Sequence, residues 1–419
     1  MASKSARAER RRGPRVADFS THFSGPVCSR QMVQLGADVI KIEHPVYGDG
    51  NRSFPPLFEG DGLHHLHLNV GTRSFALEPG TAEWTRGVQA IATWADVVIV
   101  GNRPLTAARL GIDFASLQRI NPELVYCLIT GYGLEGEWAG LPAHGLNMDA
   151  LAGTLALEWP EATPRVPHDY RSVGTTLAGI QAALGIYAAL DRRHRGEGGQ
   201  VVHVSIWEAA LSWMWRDLVT HANTGRSWTA YQDLGSRYAV YATADAKAIL
   251  VCPIEKRFWE KFCDVLELPP DLRARGDWRS GTDAGAAYAS MGEREQIQQR
   301  LRTRNAADWI ARLVAADIPV APVLDWREAM HSPHAEANGV MTRYGLHGHE
   351  VEVPTTPVSI TSAAELEAGG AAMLAEAHRR KRALVRPPPE LGEHNHELML
   401  ELGLAKPVKA TPDRPKGSS

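Results

Sequence analysis

The sequence predicts an α/β fold whose large domain is built on a parallel sheet. Residues 15–43 contain a strand, a helix and a strand in the segments PRVADFS, GPVCSRQMVQLGA and DVIKIEHP. Residues 96–102 and 124–133 each form a strongly apolar strand pattern followed by a polar or glycine-rich loop. An apolar helix near residues 176–191 leads into a valine-rich strand at 201–206. Strands that alternate with helices are typical of βαβ units, in which neighbouring strands run parallel.

Length and composition indicate a two-domain globular protein. A chain of 419 residues is too long for one hydrophobic core, so we expect two domains or one large domain with an insertion. Its 44% hydrophobic and 22% charged residues are ordinary for a globular chain. A net charge of −3 gives no reason to expect nucleic acid or an anionic membrane as a partner.

The cysteines and the chain ends point to an intracellular protein. Its four scattered cysteines contain no CxxC pair, which predicts neither disulfides nor a zinc site: Cys28, Cys127, Cys252 and Cys263. No apolar run approaches the roughly 20 residues that cross a bilayer. The basic start lacks the apolar segment of a signal peptide, although a transit peptide remains an alternative to a disordered tail. We therefore expect tails at 1–14 and 405–419 and a soluble, cytoplasmic location.

Polar residues follow the apolar strand at 96–102. Asn102 and Arg109 come at its carboxyl end, which is where open α/β sheets bind ligands. Arg109 has a simpler alternative role as a solvated helix charge. The first strand is not followed by GxGxxG, which disfavours dinucleotide binding.

Three histidines lie in a polar, turn-rich segment at residues 48–68. His64, His65 and His67 are close in sequence, but in an extended chain their alternation would place them on opposite faces. No carboxylate stands at ligand spacing beside them. The sequence therefore predicts no metal site.

The helix at 176–191 carries no charge before Asp191, which predicts burial on nearly all sides. Gly179 and Gly185 each cost about 1 kcal/mol relative to alanine inside a helix, so we expect close packing at both. Hydroxyls and backbone N–H groups at residues 172–176 would form an anion site at the helix start. The alternative is that Ser172 or Thr175 is an ordinary N-cap.

Several motifs together resemble the class III CoA-transferase family (CaiB/BaiF type). They are GPVCSRQMVQLGADVIKIEHPVYGDGNR, LNVGTRSFALE, ADVVIVGNRPLTAARLGID, INPELVYCLITGYG, RRHRGEGGQ, YAVYATADAKAILVCPIEKRFWEKFC, AADIPVAPVLDWREAMHSPH and RPPPELGEHNHELMLELGL. The resemblance runs in unbroken order from Arg15 to Leu404. It implies a large parallel-sheet domain (15–225 with a return at 330–404), a small α+β domain (231–329) and a dimer of interlocked rings.

The resemblance also implies a covalent mechanism that this chain departs from. Transferases of the family use an aspartate at the entry of the apolar helix, and Thr175 occupies that position. A threonine ester is a low-energy sink, and a hydroxyl cannot carry CoA as a thioester, so the covalent route through Thr175 is blocked. Asp169, six residues earlier, would need a loop shift to replace the aspartate.

The racemase branch of the same family offers a different assignment. His144 in AHGLNM and Glu255 in CPIEKRFW match its histidine and glutamate, which would form a base dyad. Gly145 stands where racemases usually carry aspartate, and the second base is again missing at Thr175. One base could exchange a proton but could not invert a centre efficiently.

The resemblance further implies that coenzyme A enters as acyl-CoA substrate rather than as a bound cofactor. Asn102, Arg109 and Leu110 match positions that line the nucleotide site in relatives, and Arg109 suits a phosphate. His44 and Thr72 replace an arginine and a lysine of some relatives. We therefore expect CoA to bind more weakly than in a typical relative, and submicromolar affinity by calorimetry would contradict this.

Three functions remain open from the sequence. A CoA-transferase acting on acyl-CoA and a carboxylic acid, as a homodimer or with an aspartate-bearing related subunit, would yield a covalent CoA adduct by mass spectrometry. An isomerase would exchange the α-proton for deuterium and lose this in His144→Ala. A non-catalytic acyl-CoA-binding protein would only bind. The aromatic segment with Trp207, Trp213 and Trp215 fits either an acyl pocket or, more often, a core.

Overall fold

The computed structural model describes residues 13–160, 162–228, 235–278, 291–370, 372–383 and 386–405. The chain divides into two compact units. Unit one comprises the described residues up to Met214 and from His334 onward, and unit two comprises Trp215–Pro333. Residues 215–225, which we expected in the large domain, therefore group with unit two. Nearly all of the two expected tails lies outside the described residues.

Unit one alternates strands and helices along most of its length. In chain order its elements are β1 (Arg15–Asp18), α1 (Ser24–Gln34), β2 (Asp38–Glu43), a 3-10 turn (Gly50–Arg52), β3 (Leu57–Phe58), β4 (Asp61–Gly62), α2 (Leu63–Leu68), β5 (Arg73–Ala76), α3 (Ala82–Trp94), β6 (Val97–Val100), α4 (Pro104–Leu110), α5 (Phe114–Gln118), β7 (Val125–Thr130), α6 (Gly145–Leu151), α7 (Gly174–His194), β8 (Gln200–Ser205) and α8 (Ile206–Trp213).

The centre of unit one is a six-stranded sheet in the order β5-β2-β1-β6-β7-β8 within the described residues. Every neighbouring pair in it is parallel, as the sequence predicted. On one side of the sheet β1 is followed by β2 and β5, and on the other side β6 is followed by β7 and β8. The strand order therefore reverses between β1 and β6, which is the topological switch point. Ligands of open α/β sheets bind in the crevice at such a switch.

Two apolar layers cover this sheet. One layer contains α3 and α18 (Asn395–Glu401), with Trp84, Ile91 and Leu398 buried against the strands. The other contains α1 and α7, with Met32, Ala182 and Ile186 buried. Both faces of the sheet are thereby removed from water, which explains why β6 is apolar at every position.

The long helix α7 confirms the expected close packing at its glycines. A methyl group at Gly179 would lie 2.6 Å from the Ser24 carbonyl oxygen on α1, and one at Gly185 would lie 2.8 Å from Val202 on β8. The expectation of burial on nearly all sides is wrong for the single chain, because Leu184 is 71% exposed and Ile180 is 44% exposed. The valine-rich segment at 201–206 suggested a buried strand, but β8 lies at the edge of the sheet among the described residues and its Val201 is 52% exposed.

Unit two and the C-terminal segment complete the described chain. Unit two contains α9 (Trp215–Thr224), β9 (Ala239–Ala242), β10 (Ala248–Val251), α10 (Lys256–Leu266), α11 (Pro270–Arg273), α12 (Met291–Leu301), α13 (Ala306–Ala315), β11 (Val320–Pro322) and α14 (Trp326–Met330). Its strands form an antiparallel sheet in the order β11-β10-β9. Beyond it come α15 (Pro333–Asn338), β12 (Met341–Leu346), β13 (His349–Pro354), α16 (Ala363–Gly369), α17 (Ala372–Ala383) and α18. No helix among the described residues is long and apolar enough to cross a membrane.

A buried charged network fixes the loops that follow β1 and β2. Lys41 on β2 lies 3.1 Å from Asp18 on β1 and 3.0 Å from Asp49, and all three are almost fully buried. Asp49 also accepts backbone N–H bonds from His22 at 3.1 Å and Asn51 at 2.9 Å. Burial alone would lower the pKa of Lys41, but the charges of Asp18 and Asp49 outweigh it and raise that pKa. The lysine is therefore a permanent cation that joins three segments.

We predict that Lys41→Met lowers the free energy of unfolding by about 3–5 kcal/mol, because it leaves two carboxylates buried without a cation. Chemical denaturation followed by tryptophan fluorescence measures this. Exposed Lys247→Met is the control, and its effect is expected to stay within about 0.5 kcal/mol. A similar small effect for Lys41→Met would show that the network is not a stabilising constraint.

Candidate functional site

The carboxyl ends of the central strands open into a cavity of about 1050 Å³ at the switch point between β1 and β6. Residues that follow β1, β6 and β7 line it, together with the starts of α1, α6 and α7 and part of α2. The wall residues discussed below are Phe23, Arg30, Phe54, His64, His67, Asn102, Arg103, Thr106, His144, Gly145, Ser172 and Thr175.

The entry of α7 is held by a carboxylate that the sequence analysis did not single out. Asp149 on α6 is fully buried, and its Oδ1 accepts the Gly174 N–H at 2.9 Å. Neither Ser172 nor Thr175 is the N-cap, since Val173 occupies that position without a side-chain bond. Asp149 thus takes one of the N–H groups that we expected to bind an external anion. The sequence signal that could have identified Asp149 is its position as an acid inside the apolar helix pattern LNMDALAG.

Thr175 faces the cavity beside Ser172 and Gly145. Its Oγ1 lies 3.3 Å from the Ser172 hydroxyl oxygen, and a methyl group at Gly145 would lie 3.1 Å from Thr175 Cγ2. His144 immediately precedes Gly145 and lines the same cavity, with its backbone N–H donating to Asn147 Oδ1 at 3.0 Å. The structure therefore brings Thr175, Ser172 and His144 onto one wall.

The histidine segment is organised differently from our expectation. Residues 63–68 form α2 instead of a turn, so His64 and His67 are three residues apart on a helix and both line the cavity. Burial lowers the pKa of His64, and burial together with the Arg30 charge lowers the pKa of His67 to about 4. Both imidazoles are consequently neutral near pH 7. Within the described residues no cluster of three metal-ligating side chains is present.

The charged side chains of the cavity wall are arginines. Arg30 and Arg103 line it, whereas no aspartate or glutamate of the described residues does. A cavity with this wall favours anionic ligands. The described part of this wall also offers no carboxylate nucleophile.

A second cavity of about 420 Å³ shares Arg103 and Thr106 with the first. Its wall includes Arg109, Gly133 and Gly140, and Arg103 donates to the Gly140 carbonyl at 3.1 Å. Two guanidinium groups at one cavity suit phosphate oxygens. Asn102 lines the larger cavity, and Leu110 packs partly buried against the apolar core.

The remaining predicted residues lie outside these two cavities. His44 stacks on Tyr47 with ring centroids 3.8 Å apart, and Thr72 donates its hydroxyl to the Asn69 carbonyl at 2.8 Å. Asp169 is an exposed turn residue. Glu255 is the N-cap of α10 in unit two, so its relation to His144 in unit one stays a prediction.

Comparison with known proteins identifies the chain's family. The sequence matches the profile described as "CoA-transferase family III" over residues 12–395. The chain belongs to CoA-transferase family III. This family assignment confirms the resemblance and makes the chain a CoA-transferase by descent.

Individual family members align with most of the length of this chain. Acetyl-CoA:oxalate CoA-transferase of Acetobacter aceti is 28% identical, covering 83% of this chain and 88% of the relative. The beta subunit of succinyl-CoA–L-malate CoA-transferase of Chloroflexus aurantiacus is 24% identical, covering 93% of each. The crystal structure of Rv3272 from Mycobacterium tuberculosis superposes with a TM-score of 0.73 at 25% identity, over 92% of this chain and 98% of that one.

We predict that Asp149→Ala lowers the free energy of unfolding by about 1–3 kcal/mol, because the Gly174 N–H loses its only described acceptor in the buried interior. Thermal or urea denaturation measures the change. Asp149→Asn is the matched control: its amide oxygen still accepts this bond, so its loss is expected to be smaller. Equal losses in the two variants would contradict the role of the hydrogen bond.

Proposed function

We propose that this protein transfers CoA between an acyl-CoA thioester and a carboxylic acid, both held in the large cavity, without a covalent enzyme intermediate. The observation that carries the proposal is a wall with two arginines, hydroxyls at the α7 entry and no described carboxylate. Family membership supports the reaction. Thr175 stands where we expect the family's aspartate, and this supports a route that forms no covalent bond to that position.

The two cavities suit the two parts of a CoA thioester. Arg103 and Arg109 in the smaller cavity are the candidate contacts for the phosphates, with Asn102 beside them. The shared wall at Arg103 and Thr106 would let the pantetheine arm pass into the larger cavity. Its volume of about 1050 Å³ is at the upper end of ordinary ligand sites, which leaves room for a second small acid.

The incoming acid can serve as the nucleophile. One of its carboxylate oxygens attacks the thioester carbon, the C–S bond breaks, and CoA leaves as a thiolate while a mixed anhydride of the two acids forms. The thiolate then attacks the carbonyl carbon that came from the incoming acid. The C–O bond of the anhydride breaks, and the acid that was originally bound to CoA leaves as a carboxylate. No proton is consumed. Ser172 and Thr175 hydroxyls would stabilise the negative charge on the carbonyl oxygen.

A second chain is the proposed partner. Unit one exposes a set of large apolar side chains along α7, β8 and α8: Ile180, Leu184, Val201 and Trp213. Gln181 Nε2 donates to Ser212 Oγ at 3.3 Å, so the exposed parts of α7 and α8 adjoin. Apolar surface of this kind marks a protein interface, and it supports a homodimer or a pair with a related subunit. A monomer at micromolar concentration by light scattering would contradict this proposal.

Isomerase chemistry has weaker support. His144 lines the cavity, but Thr175 cannot act as the second base that inversion needs. Asp169 is exposed and lines neither cavity, so we propose no catalytic role for it. Variants of His144 and Asp169 are therefore useful controls in the kinetic tests.

We predict that Thr175→Asp installs a covalent route beside the direct one. CoA-transfer should rise by about tenfold or more, which corresponds to 1.4 kcal/mol off the barrier, and an enzyme–CoA thioester should become detectable by mass spectrometry. Double-reciprocal plots should change from intersecting lines in the native protein to parallel lines in the variant.

Thr175→Asn is the matched control, because it has the shape of aspartate without a nucleophilic oxygen. It should form no adduct and show no gain. A covalent CoA adduct on the native chain, or parallel lines for it, would overturn the direct route.

A further inference from the structure

Arg30 on α1 is a buried cation on the wall of the large cavity. Only 4% of its surface is exposed. Its Nη2 donates to the Pro354 carbonyl at 3.4 Å and, with the Gln34 amide turned to accept, to that side-chain oxygen at 3.0 Å. Its Nε is buried and has no acceptor among the described residues. A guanidinium has five N–H donors, so this one is under-used.

No carboxylate of the described residues pairs with Arg30, although other buried cations of the unit are paired. Lys41 has two carboxylates, and Arg52 is paired with Glu43 at 2.8 Å. Burial lowers the pKa of Arg30 to about 10, which still leaves it charged near neutral pH. A buried charge without a counter-ion is unfavourable. An anionic ligand that enters the cavity would compensate it.

The residues around this cation fit an anion attached to a short apolar chain. His64 and His67 each have a buried Nδ1 without a described partner, and both are neutral imidazoles that can donate one N–H. Phe23 contacts His64 edge-on at 5.1 Å, and Phe54 lies 6.3 Å from Phe23, between ring centroids. Methylene groups would pack against these rings.

We propose that Arg30 is a specificity-determining residue that binds the second carboxylate of a dicarboxylic acid substrate. The reacting carboxyl would lie at the α7 entry near Thr175 and Ser172, and the far carboxylate at Arg30. The guanidinium fork matches a carboxylate in a bidentate geometry. This inference rests on the proposed function, because it names the acid within that reaction.

A purely structural role for Arg30 predicts something different. Its bond to Pro354 joins α1 to the strand β13, so loss of that bond would lower stability and weaken every ligand alike. The difference between dicarboxylate and monocarboxylate ligands is therefore the informative measurement.

Calorimetry with glutarate and butyrate tests the proposal in native protein, Arg30→Met and Arg30→Lys. We expect native protein to bind glutarate at least about tenfold more tightly than butyrate. Arg30→Met should weaken glutarate binding more than butyrate binding and so lose this preference, and Arg30→Lys should keep part of it. Glutaryl-CoA and butyryl-CoA, titrated in parallel, distinguish a free acid from an acyl group as the bound species.

Arg343→Met, at an exposed arginine of β12, is the control and should change none of these affinities. Absence of a glutarate preference in native protein, or an equal loss for both acids in Arg30→Met, would overturn the proposal. Glutarate preference without any CoA transfer would refute the proposed function alone, and equal use of both acids in transfer would refute this inference alone.

Discussion

The buried ion network at Lys41 is the constraint on which the site depends. Its cation holds Asp18 at the end of β1 and Asp49 before the 3-10 turn, and Asp49 in turn fixes the backbone of His22. Glu43 extends the network, accepting from Arg52 and from the Ser74 hydroxyl at 2.5 Å. These contacts tie the loops after β1 and β2 to the sheet. The position of the cavity wall next to β1 therefore depends on charged side chains that do not line the cavity.

Charge is distributed in opposite ways inside and beside the cavity. Behind the wall, cations and carboxylates are matched, as at Lys41 and Arg52. On the wall, the described charged groups are Arg30 and Arg103, and the nearby carboxylate of Asp149 is turned into the interior to hold α7. The site therefore combines a neutral, rigid support with a cationic surface. Such a surface suits a reaction in which every reactant carries a negative charge.

Much of this organisation followed from sequence pattern. The βαβ start, the apolar strands and the packing of Gly179 and Gly185 were predictable, because strand and helix periodicity and glycine use depend on local chemistry. The exposure of Leu184 was not, since burial depends on which chains surround a helix. The helix at 63–68 was missed because histidine spacing alone does not distinguish turn from helix. Arg30 and Asp149 were missed because their roles come from contacts distant in sequence.

The acid-free wall of the large cavity also bears on how the protein behaves in solution. Chloride, acetate or phosphate from a buffer would enter a site lined by two guanidinium groups and compete there with any acid. Because Arg30 is buried, its charge is only weakly screened by mobile ions, so competition at Arg30 acts through occupancy of the site. If the cavity binds an acid as proposed, we expect the apparent affinity to depend more on which anion the medium contains than on its ionic strength.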